Sequence, residues 1–230
     1  ARPRGGRSGC WQCLGMGILE LALPQACIGC SVSGVRVCAA CRQKLASPTP
    51  ALHVGNMPMA AWSCATYDGV VQRVVLAAKR TGHREFLELL GMLHARAVCA
   101  ALADDRVGER LGVVLIHSGS RTRHVAGTDV VASMLNYSRA RLGAASTSTF
   151  VVDALHLRAP PTSQKKLARA QRLHNVEGRF YVRPTRALYE APILVVDDVL
   201  TTGATILAAS AALRRAGVFV VGAAVAANRT

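Results

Sequence analysis

Short apolar runs, each closed by turn-forming or charged residues, recur along the chain at 62–67, 111–117, 149–152, 193–196 and 218–225. Two of them, Val113-Val114-Leu115-Ile116 and Ile193-Leu194-Val195-Val196, contain no polar residue, as strands covered on both faces do. Between the runs the period changes. Val70, Val71, Val74, Val75 and Ala78 recur at helical spacing, and helices are also predicted over 86–102, 127–142 and the alanine-rich 206–216. Strands alternating with helices predict an α/β domain built on a parallel sheet flanked by helices.

The flanks of this frame read differently. Residues 1–9, rich in Arg, Gly and Pro, are expected to be disordered. Trp11, Leu14, Ile18, Leu19 and Leu21 predict a short amphipathic helix that ends before Pro24. Residues 44–59, with Pro48, Pro50 and Pro58, read as a linker. The expected organisation is therefore a disordered 1–9, a small module over 10–47 and a main domain over 60–230. Within that domain, the charged stretch 155–180, which contains Pro160 and Pro161, reads as a mobile loop and short helix able to close over a ligand.

Chemistry gathers where the run 193–196 ends. Asp197 and Asp198 are followed by Val199-Leu200-Thr201-Thr202-Gly203-Ala204-Thr205 and then the alanine-rich helix. Helix-terminal N–H groups, a glycine permitting close approach and the threonine hydroxyls suit a phosphate. The two carboxylates would repel a phosphate in direct contact, and suit ribose hydroxyls or a hydrated Mg²⁺ beside it. Phosphate at one end and a diol at the other describe a ribose 5-phosphate. The stretch resembles the phosphoribosyl-pyrophosphate (PRPP) loop of the type I phosphoribosyltransferases, two acidic residues and T-T-G-x-T after a hydrophobic strand. On that resemblance Val196, Asp197, Asp198, Thr201, Thr202, Gly203, Ala204 and Thr205 are expected to contact PRPP, with Mg²⁺ near the two aspartates.

In a parallel sheet ligands collect at the carboxyl ends of strands, so the loop after 111–117 is expected to face this one. It contains Ser118, Gly119, Ser120, Arg121, Thr122 and Arg123, and adds Ser118 and Gly119 to the expected PRPP contacts. Asp197, Asp198, Arg121 and Lys165 are the catalytic candidates, the last two to offset charge on a departing pyrophosphate. Lys79, with Arg80 and His83, is expected at a solvated helix end where cations favour the macrodipole, rather than against a ligand phosphate. No residue reads as a general base, and no segment identifies an acceptor.

The cysteines divide into two sets. Cys27-x₂-Cys30-x₇-Cys38-x₂-Cys41 has the spacing of two knuckles that place four thiolates around a structural Zn²⁺, a closed site with no open position for catalysis. Such an ion would fold a segment with few apolar residues. Cys10 and Cys13 read as ordinary thiols on the first helix, and Cys99 as a core thiol.

Composition then narrows the classes. Of the 230 residues, 51% are hydrophobic, enough for a substantial core, and no run reaches the roughly eighteen apolar residues of a membrane span. The apolar stretch at 14–23 contains Glu20 and runs into cysteines without a small-residue cleavage site, so it does not read as a signal peptide and a cytoplasmic location is expected. Lysine and arginine number 28 against 13 acidic residues, a formal charge of +15. Two accounts stand: attraction to nucleic acid or a phosphate-rich ligand, or a biased arginine-rich composition with no such partner. Aromatics at 4% argue against a base-stacking platform.

Taken together, the four-cysteine knuckle, the strand and helix leading to Lys79 and Gly82, the set Leu157, Arg158, Thr162, Gln164, Leu167, Arg172, Asn175, Gly178 and Phe180, and the loop Asp197 to Thr205 resemble the ComF family of phosphoribosyltransferase-like proteins along essentially the whole chain. The resemblance implies a type I phosphoribosyltransferase-like sheet with an N-terminal zinc module. It also implies either phosphoribosyl transfer to a nitrogen acceptor or a role in DNA uptake during natural competence, with single-stranded DNA and proteins of DNA uptake as partners. One departure is plain: where many members carry V-P-V-P after the first central strand, this chain has Ile116-His117-Ser118-Gly119.

Overall fold

The two runs without polar residues lie beside each other at the centre of a six-stranded sheet. The computed structural model describes residues 26–47, 52–53, 57–107, 109–117, 129–143, 148–158 and 178–229. The strands are β1 (Leu52–His53), β2 (Ala60–Ser63), β3 (Leu111–Leu115), β4 (Thr149–Val151), β5 (Leu155–Leu157), β6 (Phe180–Val182), β7 (Ile193–Leu200) and β8 (Val220–Asn228). The helices are α1 (Ala39–Ala46), α2 (Gly69–Thr81), α3 (Arg84–Leu102), α4 (Val130–Leu142) and α5 (Ala204–Arg215). The sheet order is β1-β2-β8-β7-β3-β4; all neighbours from β2 to β4 are parallel, and β1 pairs antiparallel at the edge. β5 and β6 form a separate antiparallel pair. The α/β class expected from the alternating pattern is the class observed.

Strand period two sorts the side chains of β7 to the two faces. Leu194 and Val196 point to the layer of α2, α3 and α4, whereas Ile193 and Val195 join Ile206, Ala209 and Leu213 of α5 together with Leu155 and Phe180 of the β5–β6 pair. With helices on both faces, β7 and β8 need apolar residues on both sides, which is why they read as unbroken runs. On the first face α3 and α4 approach closely at Gly91, where an added Cβ would stand 2.5 Å from the Cβ of Tyr137.

Several expectations are corrected. The central strand does not stop at the carboxylates: β7 continues to Leu200, because β8 extends alongside it and pairs Asp197 with Val225, Val199 with Ala227 and Leu200 with Asn228. β3 ends earlier, its last pair being Leu115 with Val196, so β7 has no ladder partner on that side beyond Val196. The segment expected as a linker contributes the end of α1 and the edge strand β1. The described ends of 155–180 are paired strands rather than loop; 159–177 lie outside the described residues, as do 1–25 and the expected helix there. Cys99 is exposed, since the buried stripe of α3 runs through Leu90, Leu93, His94, Ala97, Val98 and Ala101 and leaves position 99 off it. No helix among the described residues is long and apolar enough to cross a membrane.

Among the described residues, His94 is the imidazole fully inside this core, on α3 against β8. Burial disfavours its charged form and brings it down to about 4, against a smaller opposing pull from the Ala224 backbone. Its folded value is depressed, so its contribution to stability is complete above the unfolded value of 6.5 and is lost as pH falls towards 4. We expect the stability difference between the wild type and His94→Leu to shift against the wild type by roughly 3 kcal/mol between pH 7 and pH 4, about 1.4 kcal/mol per pH unit within the window. Urea unfolding of the two proteins in parallel measures it, and because both share every other titrating group a pH-independent difference would refute the assignment.

Candidate functional site

A cavity of about 350 Å³ opens where β3 ends and β7 continues. Its walls come from β7 and the turn after it (Asp197, Asp198, Val199, Thr201, Thr205), from the end of β3 (Ile116, His117), from α2 and the turn before it (Lys79, Tyr67), and from the β5–β6 pair (Leu157, Arg179, Phe180). The notch exists because one strand of a parallel pair is shorter than its neighbour. It places carboxylate, ammonium, imidazole, guanidinium and hydroxyl groups around one space.

Asp198 points towards α2 and is buried, and Lys79 Nζ lies 2.7 Å from its Oδ2. Burial alone would lower Lys79, but the charge of Asp198, helped by that of Asp197, outweighs it and holds the ammonium above its ordinary value. Asp197, half-buried, accepts the Asp198 N–H on Oδ1 at 2.9 Å. Its own burial and then the adjacent Asp198 carboxylate push it up to about 7, so near neutral pH it can both donate to and accept from a hydroxyl.

Across the notch His117 stands between two further carboxylates. Its Nδ1 is 2.8 Å from Asp129 Oδ2 and its Nε2 is 3.5 Å from the exposed Asp153. Asp129 is fixed as the N-cap of α4, its Oδ1 accepting the Ala132 N–H at 3.1 Å. The hydrogen bond to Asp129 raises His117 despite burial; Asp129 in turn lies below its ordinary value, since burial would raise it but the His117 bond and the capping N–H prevail.

The turn after β7 enters α5 through Gly203, which adopts the left-handed conformation (φ 73°) and packs so tightly that an added Cβ would stand 2.3 Å from Met57 Sδ. Thr202 Oγ1 accepts the Ala204 N–H at 3.4 Å. Thr201 and Thr205 line the cavity. A helix start entered through glycine and threonine, at the cavity wall, is suited to an anion.

The four cysteines lie elsewhere, in a knuckle packed against the start of α2. The sulfurs of Cys27, Cys30, Cys38 and Cys41 are within 4.8 Å of one another, and a tetrahedral ion about 2.3 Å from each would set them about 3.8 Å apart, so the cluster can hold a zinc ion. Burial would raise Cys27, but N–H groups of Cys38, Cys30 and Gly29 bring it down to about 6; burial and then the neighbouring thiols push Cys41 up to about 12. Cys41 and Leu45 enter the same core as Val71, Val74, Val75 and Phe86. Arg73 donates to the Gly29 carbonyl at 2.7 Å, Arg96 to that of Ala46 at 2.6 Å, and Arg42 pairs with Glu85. The module is a bracket on α2 and α3.

Of the residues singled out in the sequence, Asp197, Asp198, Thr201 and Thr205 meet at the cavity. Val196 is buried with its side chain in the core, and Thr202, Gly203 and Ala204 shape the turn behind the wall. Ser118, Gly119, Arg121, Lys165, Cys10 and Cys13 lie outside the described residues. Lys79 is corrected: it faces the cavity instead of a solvated helix end. Its position four residues after the buried Val75 already placed it on the inward stripe of α2. The pairing of His117 with Asp129 lies beyond the sequence expectations, although Asp129 carries an N-cap signal before an apolar helix. Arg179 and Tyr67 had no distinguishing signal.

No protein-family model matches the chain, and no curated protein does. Among solved structures, a hypoxanthine phosphoribosyltransferase from Staphylococcus aureus is similar at 15% identity and a TM-score of 0.30, over 60% of this chain. The match spans 61% of that protein's length.

Two outcomes are expected. Replacing Asp129 by Asn should let His117 fall towards 6.5, read by the pH titration of its ring resonances; an unmoved titration would refute the coupling. The stabilisation His117 contributes should be complete below 6.5 and disappear as pH rises through its raised folded value. Separately, purified protein should contain one zinc per chain, and Cys41→Ser should lower unfolding stability by about 3 kcal/mol or more, because the metal site is part of the α2 core.

Proposed function

We propose that the cavity binds a ribose 5-phosphate, with PRPP the most complete ligand of that class, and that the chain is a phosphoribosyltransferase-like protein of the ComF type. The carrying observation is that one cavity wall presents both the paired carboxylates of β7 and the threonine-glycine turn into α5. On this reading Asp197 and Asp198 take the ribose hydroxyls, and the turn 201–205 takes the 5-phosphate through N–H groups and the hydroxyls of Thr201 and Thr205. Arg179, which lines the cavity, is left for a group at C1; the contacts expected of Ser118 and Gly119 and the charge-offsetting roles expected of Arg121 and Lys165 rest on the sequence alone. The resemblance of Leu157, Arg158, Gly178 and Phe180 to the family's middle motif supports the same reading, since Leu157 and Phe180 border the cavity.

If transfer occurs, a nitrogen acceptor replaces the pyrophosphate at C1 through an oxocarbenium-like transition state, and the chain acts by positioning and electrostatics. Magnesium, which the resemblance leads one to expect with PRPP, would supply positive charge to offset the departing pyrophosphate. The formal charge of +15 favours a second reading, in which the protein serves DNA uptake by binding single-stranded DNA and uses the pocket as a sensor.

Titration calorimetry of the zinc-loaded protein should show binding of PRPP and of ribose 5-phosphate. Asp197→Asn combined with Asp198→Asn, or Thr205→Val alone, should weaken both by about tenfold or more. Absence of heat with either ligand would overturn the proposal. Oligonucleotide binding that falls steeply with salt and survives the double substitution would instead support the DNA reading.

A further inference from the structure

The resemblance to PRPP-binding loops leads one to expect a divalent cation beside Asp197 and Asp198, and the residues present do not fit it. Asp198 is the deeper carboxylate, its side chain 7% exposed, and its Oδ2 is already 2.7 Å from Lys79 Nζ. A magnesium ion binds a carboxylate oxygen at about 2.1 Å and demands a full shell of oxygens around it. On Oδ2 it would meet the ammonium as a near neighbour of like charge. Asp197 offers less than a whole carboxylate to an ion, because its Oδ1 accepts the Asp198 N–H at 2.9 Å.

Lys79 is not an arm that swings away at little cost. It follows Val71, Val74, Val75 and Ala78 on a helix whose inner face is buried against the sheet. The opposite end of that helix is fastened to the cysteine knuckle, where Arg73 holds the Gly29 carbonyl and an added Cβ at Gly29 would stand 2.9 Å from Val70. The Lys79 side chain is only one-third exposed.

We propose that Lys79 takes the place of a divalent metal at this acidic pair, so that the β7 carboxylates receive their ligand with an ammonium, and no metal ion, between them and the helix. An ammonium beside two carboxylates presents donors as well as acceptors, which suits a vicinal diol. The inference uses the cavity described above but not the identity of its sugar ligand, and its test is independent of that ligand.

The experiment titrates Mn²⁺, as a spectroscopic substitute for magnesium, into zinc-loaded protein and follows the free ion by electron paramagnetic resonance. The wild type should show no Mn²⁺ site at this pair. Lys79→Ala and Lys79→Gln should each create one at least about tenfold tighter than any wild-type binding, and adding Asp198→Asn should abolish it. Mn²⁺ should also raise the melting temperature of the Lys79 variants and leave that of the wild type unchanged, a readout that holds if removing the lysine loosens the fold. Wild-type binding that Asp198→Asn removes, or Lys79 variants that gain no Mn²⁺ site by either measurement, would overturn the proposal.

Discussion

Asp198 is a carboxylate inside the sheet, on a strand with helices over both faces, and the ion pair with Lys79 is what makes it tolerable there. Removing a carboxylate from water is costly unless a partner stands close and correctly placed. That requirement fixes the end of α2 over the end of β7, and with it the depth of the notch that β3 leaves. The neighbouring Asp197, raised first by its own burial and then by the charge of Asp198, is pushed up to about 7, while Lys79 is held above its ordinary value. A buried acid, an exchangeable acid and a held ammonium make one unit.

The four-cysteine cluster bears on this unit through the helix. α2 runs from the knuckle to the cavity, with Val70 near Gly29 at one end and Lys79 at the other. Chain order alone suggests a module joined by a linker to a separate domain. The packing instead puts Cys41 and Leu45 into the sheet-facing core beside Val74 and Phe86. A metal ion held there would brace the helix that carries Lys79, so the cysteine cluster and the geometry of the cavity depend on the same element.

The opposite wall is held by different means. His117 leaves the end of β3 where the ladder with β7 has finished, and Asp129, locked as a helix cap, fixes its ring. The cavity thus has one wall set by a strand-borne acid answered from a helix, and another set by a strand-borne base answered from a helix cap. Both arise at carboxyl ends of parallel strands, where side chains have passed out of the packed layer and helix starts bring N–H groups to the same edge.

The alternation of apolar runs and helical periods was enough for the α/β class and for the central place of 193–196, because burial on both faces favours an unbroken run of apolar residues. The spacing of Cys27, Cys30, Cys38 and Cys41 and the order of groups in 197–205 were equally legible, since both are local patterns. What the pattern could not contain was distance across the fold. That β7 continues through its carboxylates follows from the length of β8, and that Lys79 answers Asp198 follows from the docking of α2; neither is written near residue 198. His117 and Asp129 stand twelve positions apart in the chain, and only the end of β3 beside the start of α4 makes them a pair. Local sequence determined which carboxylates, hydroxyls and thiols stand together along the chain. Tertiary packing decided which charges neutralise one another, because that depends on separations set by strand lengths and helix docking.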